Sequence, residues 1–162
     1  MNAYVPVIDS RSSFAAALLW GFETAQAQDA RSIFCVDPDF ADWPLDDPDL
    51  LSGLAAWMRR PQRQLVLVAR DFDEVPRRFP RFDRWRGSWA HAMQAWRPPE
   101  ELARQLPTLL VSDGAVSVQL VDVLHWRGTA ALDAQRAHLW REEVDVVLQR
   151  SQRALAVRTL GL

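Results

Sequence analysis

Two short runs constrain this chain more than anything else in it: Ile33-Phe34-Cys35-Val36 and Gln64-Leu65-Val66-Leu67-Val68-Ala69. Both are apolar on the two faces of an extended backbone, with none of the alternation of a half-exposed strand. Such runs predict central strands covered on both sides. Between them, Asp47-Pro48 reads as a helix N-cap followed by proline at the first helical position. Leu51, Leu54, Ala55 and Met58 then form a stripe at spacings of three and four. Arg59 and Arg60 suit the negative end of that helix, and Pro61 stops it. Strand, helix, strand in this order is the unit of a parallel sheet.

The rest of the chain extends the pattern. Residues 11–28 read as a helix, capped by Asp9 or Ser10, with Phe14, Leu18, Phe22 and Ala25 as its stripe. Gly21 inside it costs about 1 kcal/mol relative to alanine, so a neighbour is expected to pack closely there. Residues 37–49 hold six aspartates and three prolines and read as a loop, anchored by Phe40, Trp43 and Leu45. The stretch Arg77–Arg97 carries three of the eight tryptophans and six of the nineteen arginines. With Pro80 opening a helix, Phe82, Trp85, Trp89, Met93 and Trp96 form one stripe over about four turns. That helix is expected to run to Pro98-Pro99, with Arg81, Arg84 and Arg86 on its flanks. Residues 108–112 and 115–123 predict a hairpin across Asp113-Gly114, read as a two-residue turn with positive φ. A loop at 124–128 leads to a last helix, capped by Thr129 or Asp133, with Ala137, Trp140, Val144 and Val147 as its stripe.

The expected fold is α/β: a mixed, mainly parallel sheet, helices on both faces, one antiparallel hairpin. Residues 1–162 are expected to form a single domain, with its core in 11–150 and a tail at 151–162. The predicted core contains Phe34, Val36, Leu54, Leu65, Leu67, Trp85, Trp89, Leu110, Val118, Trp140 and Val144.

Composition excludes some chemistry. The chain has no lysine, which rules out a Walker A loop, a Schiff-base lysine and a lysine general base. Cys35 is a single cysteine in an apolar run and reads as a buried thiol. No run approaches the ~20 apolar residues of a membrane span, and no basic region precedes an apolar stretch near Met1. The expectation is a cytoplasmic protein without a membrane partner or a cofactor. The net charge of −2 conceals an asymmetry: residues 1–58 carry nine acids and two arginines, residues 59–104 six acids and eleven arginines. These segments can pair within one fold or across a dimer. Trp20, Trp43 and Trp126 lie off the stripes or in loops, and such aromatics point to a homodimer interface.

Two candidate sites follow. Arg81, Arg84 and Arg86 with Trp85 suit an anionic ligand or nucleic acid, since guanidinium forks match phosphate oxygens and indoles stack on bases. Asp37, Asp39, Asp71, Asp73 and Asp113 stand at strand ends, where α/β sheets bind ligands, and could hold Mg²⁺ for phosphate hydrolysis. The run Ile33 to Asp39 resembles the first motif of the haloacid dehalogenase phosphohydrolases, whose third-motif lysine has no counterpart here. His91, His125 and His138 share no metal-ligand spacing.

The order of elements and the 108–123 hairpin resemble half of a phospholipase D-like domain. That family carries His-x-Lys-x-x-x-x-Asp on such a hairpin. In Leu109-Leu110-Val111-Ser112-Asp113-Gly114, Asp113 takes the Asp position; Thr108 stands at the Lys position and Leu106 at the His position. Gln119-Leu120-Val121-Asp122 stands where Gly-Ser-x-Asn would follow. The resemblance implies a degenerate, non-catalytic relative that binds a partner, and a pairing of two such halves in a dimer.

Overall fold

The computed structural model describes residues 4–155. In chain order the first half runs β1 Val7–Ile8, α1 Arg11–Ala27, β2 Ser32–Val36, α2 Pro48–Met58, β3 Gln64–Val68, α3 Val75–Arg78 and α4 Pro80–Ser88. The second half runs β4 Met93–Arg97, α5 Glu100–Ala103, β5 Thr108–Ser112, β6 Val116–Asp122, β7 Arg127–Leu132, α6 Ala134–Gln149 and β8 Gln152–Arg153. Among the described residues the strands form one sheet in the order β1-β7-β6-β5-β2-β3-β4-β8.

The two apolar runs lie at its centre, parallel, with Val36 opposite Val68. β3 and β4 are also parallel. The other pairings are antiparallel. The expected mainly parallel sheet is therefore corrected: the fold is α/β with a mixed sheet in which antiparallel pairs predominate. The reason lies in the connections. A parallel neighbour needs a crossover, and α2 and the α3–α4 segment supply two. After β4 the chain returns through α5 to enter β5 beside β2 from the opposite end, then adds β6 and β7 by short turns.

Strand alternation divides the core into two layers. Ile33, Cys35, Leu65, Leu67, Leu110 and Val118 share one cluster with Phe14 and Phe22 of α1, Leu54 of α2 and Phe82 of α4. Val36, Val66, Val68, Leu109 and Val111 pack with Ala137 and Val144 of α6. Helices thus cover both faces. Of the expected core residues, Phe34, Trp85, Trp89 and Trp140 are partly buried against these clusters and the others are buried. Cys35 is buried, which pushes its thiol above its ordinary range.

The local signals of α1 and α2 are realised. Ser10 caps α1 in a reciprocal box with Ser13, and Asp47 caps α2 ahead of Pro48. A Cβ at Gly21 would meet Leu110 Cδ2 and Val118 Cγ2 at 3.1 Å, so the glycine lets α1 lie close on β5 and β6.

The aromatic stretch is divided. α4 ends at Ser88 and residues 93–97 form β4, so Met93 and Trp96 belong to a strand. Spacings of four and three from Trp89 had suggested a continuing helix. Met93 and Ala95 are instead buried on alternate positions, and β4 completes the ladder of β3: Leu65 N–H donates to Ala92 O and Ala69 N–H to Trp96 O. An unpaired central strand would leave those donors buried without acceptors. β7 occupies residues expected as loop and helix cap, and Asp133 rather than Thr129 caps α6. The β5–β6 connection is a three-residue turn, 113–115, in which Asp113 has no positive φ. Ser112 Oγ stabilises it by accepting from the N–H groups of Gly114 and Val116.

β8, in the tail, pairs with β4, while Leu160 and Leu162 lie outside the described residues. Trp43 is buried on Phe40, centroids 5.0 Å apart, and Trp126 packs 5.9 Å from Phe14. Trp20 is partly buried against the same core. Trp43 is thus used within the fold, and Trp20 and Trp126 each keep part of their surface exposed. Among the described residues no helix is long and apolar enough to cross a membrane.

Candidate functional site

The acidic loop and the basic helix meet within one chain. Asp46 Oδ1 accepts the N–H groups of Arg81 at 2.7 Å and Phe82 at 3.1 Å, capping α4 from the 37–49 loop. The Asp46 charge meets the N-terminus of α4 here, not an arginine side chain. Arg86, proposed as a ligand contact, turns inward: it is 8 % exposed, its Nε donates to Asp83 at 2.8 Å, and Nη1 reaches Leu155 O. It is a structural cation and does not line an open site. Arg77 pairs with Glu74, and Arg70 with Glu100 at 2.6 Å.

Arg81 and Arg84 remain exposed, and among the described residues neither guanidinium has a carboxylate partner. They flank Trp85, which stacks on Phe82 at 5.8 Å and lies 6.4 Å from Trp89. Two donor atoms in this region are sheltered from solvent without an acceptor among the described residues: Trp85 Nε1 and Arg78 Nη1. Buried donors without partners are rare and mark places where an acceptor fits. Arg78 lies on α3, ahead of the helix that Pro80 opens, so the α4 stripe gives no signal for it.

Of the strand-end carboxylates, Asp37 and Asp39 follow β2 and Asp71 and Asp73 follow the parallel β3 at the same end of the sheet, and Asp113 does not join them. β5 runs antiparallel to β2, so Asp113 stands beside Ser32 at one end of the sheet and Asp37 beside Thr108 at the other. About 16 Å of strand separates those ends. Four of the five, all but Asp73, accept hydrogen bonds from the backbone through their side chains. Asp39 accepts from Ala41 N–H at 3.0 Å, Asp71 from Asp73 N–H at 2.7 Å, and Asp113 from Arg31 N–H at 3.1 Å. Among the described residues no three His, Cys, Asp or Glu side chains form a group that could hold a metal ion.

Asp37 is the most constrained of them. Its Oδ2 accepts from Asp39 N–H at 3.1 Å and Phe40 N–H at 2.7 Å; its Oδ1 accepts the Thr108 hydroxyl at 2.5 Å. Burial raises its pKa, and the three hydrogen bonds oppose that rise. The turn it closes holds Phe40 at φ 61°, a conformation that a bulky residue adopts only when its surroundings enforce it.

Beside this turn lies a cavity of about 270 Å³, between the ends of β2 and β3, the 102–107 segment and α6. Val36, Val68, Leu102, Leu106, Trp140 and Val144 are among its lining residues. The α6 stripe was legible in the sequence; its opposing wall, brought by the Pro98-Pro99 return, was not. Leu106 forms part of the cavity wall, and the Thr108 hydroxyl is bound to Asp37.

The fold is of the phospholipase D-like class. Nuc, a phospholipase D family member from Salmonella typhimurium, superposes with TM-score 0.55 at 10% identity, over 86% of this chain and 91% of that one. TrmBL2, described as an archaeal chromatin protein with a novel mode of DNA binding, superposes with TM-score 0.62 at 11% identity. That match covers 95% of this chain, which spans 56% of the TrmBL2 chain. No family profile and no curated protein matches the chain by sequence.

Proposed function

We propose that this chain is a binding module of phospholipase D-like fold that does no phosphodiester chemistry itself and holds a phosphate-bearing partner, nucleic acid, on the α3–α4 face. The observation that carries this reading is the pair of exposed, carboxylate-free guanidiniums of Arg81 and Arg84 beside a partly buried Trp85 whose Nε1 lacks an acceptor among the described residues. Guanidiniums without internal partners leave their donors for phosphate oxygens, and the indole adds a stacking face. The DNA binding described for TrmBL2 supports testing nucleic acid first. The non-catalytic part rests on Leu106 and Thr108, neither of which offers the nucleophile or the cation of the motif. Self-association of two copies belongs to the same proposal, with Val121, Val123 and Leu124 exposed at the β6–β7 turn as the candidate contact.

Fluorescence anisotropy with labelled single- and double-stranded oligonucleotides, at about 50 and 200 mM salt, tests the reading. Binding should weaken with salt, and Arg81→Ala/Arg84→Ala should flatten the salt slope by about two. Unchanged binding in the double variant would withdraw the basic face as the site. Phosphodiester turnover by the wild-type chain with Mg²⁺ or Mn²⁺ would withdraw the non-catalytic part.

A further inference from the structure

The cavity over the ends of β2 and β3 faces away from α4 and has a different chemistry. Its floor is Val36 and Val68, cross-strand partners on parallel strands and almost fully buried. One wall is the α6 stripe Trp140, Val144 and Val147, at spacings of four and three; the other is Leu102, Leu106 and Pro107. Gln105 and Glu143 are its polar side chains, and both are exposed. The two polar groups nearest in the chain, Asp37 and Thr108, are bonded to each other at 2.5 Å. Among the described residues no cation lines the space, so a phosphate or carboxylate finds no counter-charge from them.

The charges around it select the opposite sign. Arg150 is held by Glu101 at 2.7 Å, Arg104 lies 3.6 Å from Glu100, and His138 pairs with Glu142 at 3.1 Å. Glu143 has no ion partner among the described residues. One turn of helix away is the partly buried ring of Trp140, whose negative face attracts cations. We infer that this cavity is a binding site for a small hydrophobic amine: the hydrocarbon body lies on Val36, Val68 and Val144, and the ammonium group meets Glu143 and the Trp140 ring at the mouth. A volume near 270 Å³ admits a single ring with a short side chain and excludes a polymer. The inference stands apart from the nucleic-acid reading, because it uses none of the arginines of the α3–α4 face.

Titration of the full chain with 2-phenylethylamine, followed by backbone amide and indole NMR shifts, tests it. Saturable shifts should appear at residues 102–106 and 140–147, with a Kd on the order of 1 mM for a ligand of this size. 2-Phenylethanol should bind roughly three- to fivefold more weakly, and 3-phenylpropionate more weakly still. Glu143→Gln, at an exposed position, should narrow the preference for the amine over the alcohol, leaving only the part due to the Trp140 ring. Val147→Trp, or Leu106→Trp where the first fails to fold, fills the space and should weaken the amine by at least about tenfold. Arg81→Ala/Arg84→Ala should leave amine binding unchanged. The inference is overturned if shifts fail to saturate by about 10 mM amine. It is equally overturned if alcohol or carboxylate binds as well as amine to the wild type, or if a folded cavity-filling variant retains wild-type affinity.

Discussion

Replacing Asp37 by asparagine and by alanine separates the hydrogen bonds of its side chain from its charge. Its side chain accepts three hydrogen bonds, from Thr108 Oγ1, Phe40 N and Asp39 N, at an almost fully buried position. Alanine leaves those donors without a partner and releases the turn that holds Phe40 at φ 61°. At about 1 kcal/mol per hydrogen bond, about 3 kcal/mol in all and partly offset by removal of a desolvated charge, Asp37→Ala should cost about 1–3 kcal/mol. That corresponds to roughly 2–12 °C in Tm for a domain of this size. Asparagine keeps an oxygen for Asp39 and Phe40 and offers an NH₂ to the Thr108 oxygen, so Asp37→Asn should change stability by no more than about 1 kcal/mol.

The pH dependence sharpens the test. Burial raises the folded pKa of Asp37 above the value of 3.8 expected in the unfolded chain. The folded protein therefore binds this proton more tightly. The group's contribution to stability is full below that unfolded value and is lost as pH rises through the raised folded value. The asparagine variant lacks this loss, so its stability relative to wild type should rise from about pH 4 upward and then level off. Chemical denaturation of the three proteins between pH 4 and pH 8 provides the measurement. If Asp37→Asn is as damaging as Asp37→Ala, and more so as pH rises, the ionised carboxylate stabilises the fold and the raised pKa is refuted. If Asp37→Ala stays within about 0.5 kcal/mol of wild type, the reasoning about the turn is wrong.

A Cβ at Gly128 would sit 2.2 Å from Gln119 O, so Gly128→Ala must displace the β6–β7 backbone. Thermal melts should show a loss of at least about 2 kcal/mol, and a smaller one would mean that β7 shifts freely. Trp57 Nε1 donates to Ala30 O at 2.6 Å inside the core, so Trp57→Phe should cost about 1–3 kcal/mol in denaturant titration. Arg86→Ala should destabilise the fold without altering the salt slope of oligonucleotide binding, since Arg86 is engaged with Asp83. Sedimentation across a concentration series should show twice the 18.5 kDa chain mass, and Leu124→Asp should return it to 18.5 kDa; a constant 18.5 kDa for the wild type would remove the dimer.

Local chemistry in the sequence determined the elements whose signals are self-contained. Asp47-Pro48 had to start a helix, because its carboxylate caps free N–H groups and proline has none to cap. Runs such as Ile33–Val36 and Leu65–Val68 had to be central strands, because two apolar faces need two covers. Tertiary structure decided what local signals leave degenerate. The spacings from Trp89 to Met93 and Trp96 fit a helix by period, and the free edge of β3 made the segment a strand by offering hydrogen bonds that helix could not meet. β1 and β8 are two residues each, too short to carry a pattern, and exist through the neighbours that pair with them. The same holds for the sites. Sequence named the arginines of the α4 helix and the strand-end aspartates. Direction decided their roles: Arg86 points inward, Asp37 and Asp113 stand at opposite ends of antiparallel strands, and the cavity exists because α6 and the 102–107 segment, distant in the chain, face each other across Val36 and Val68.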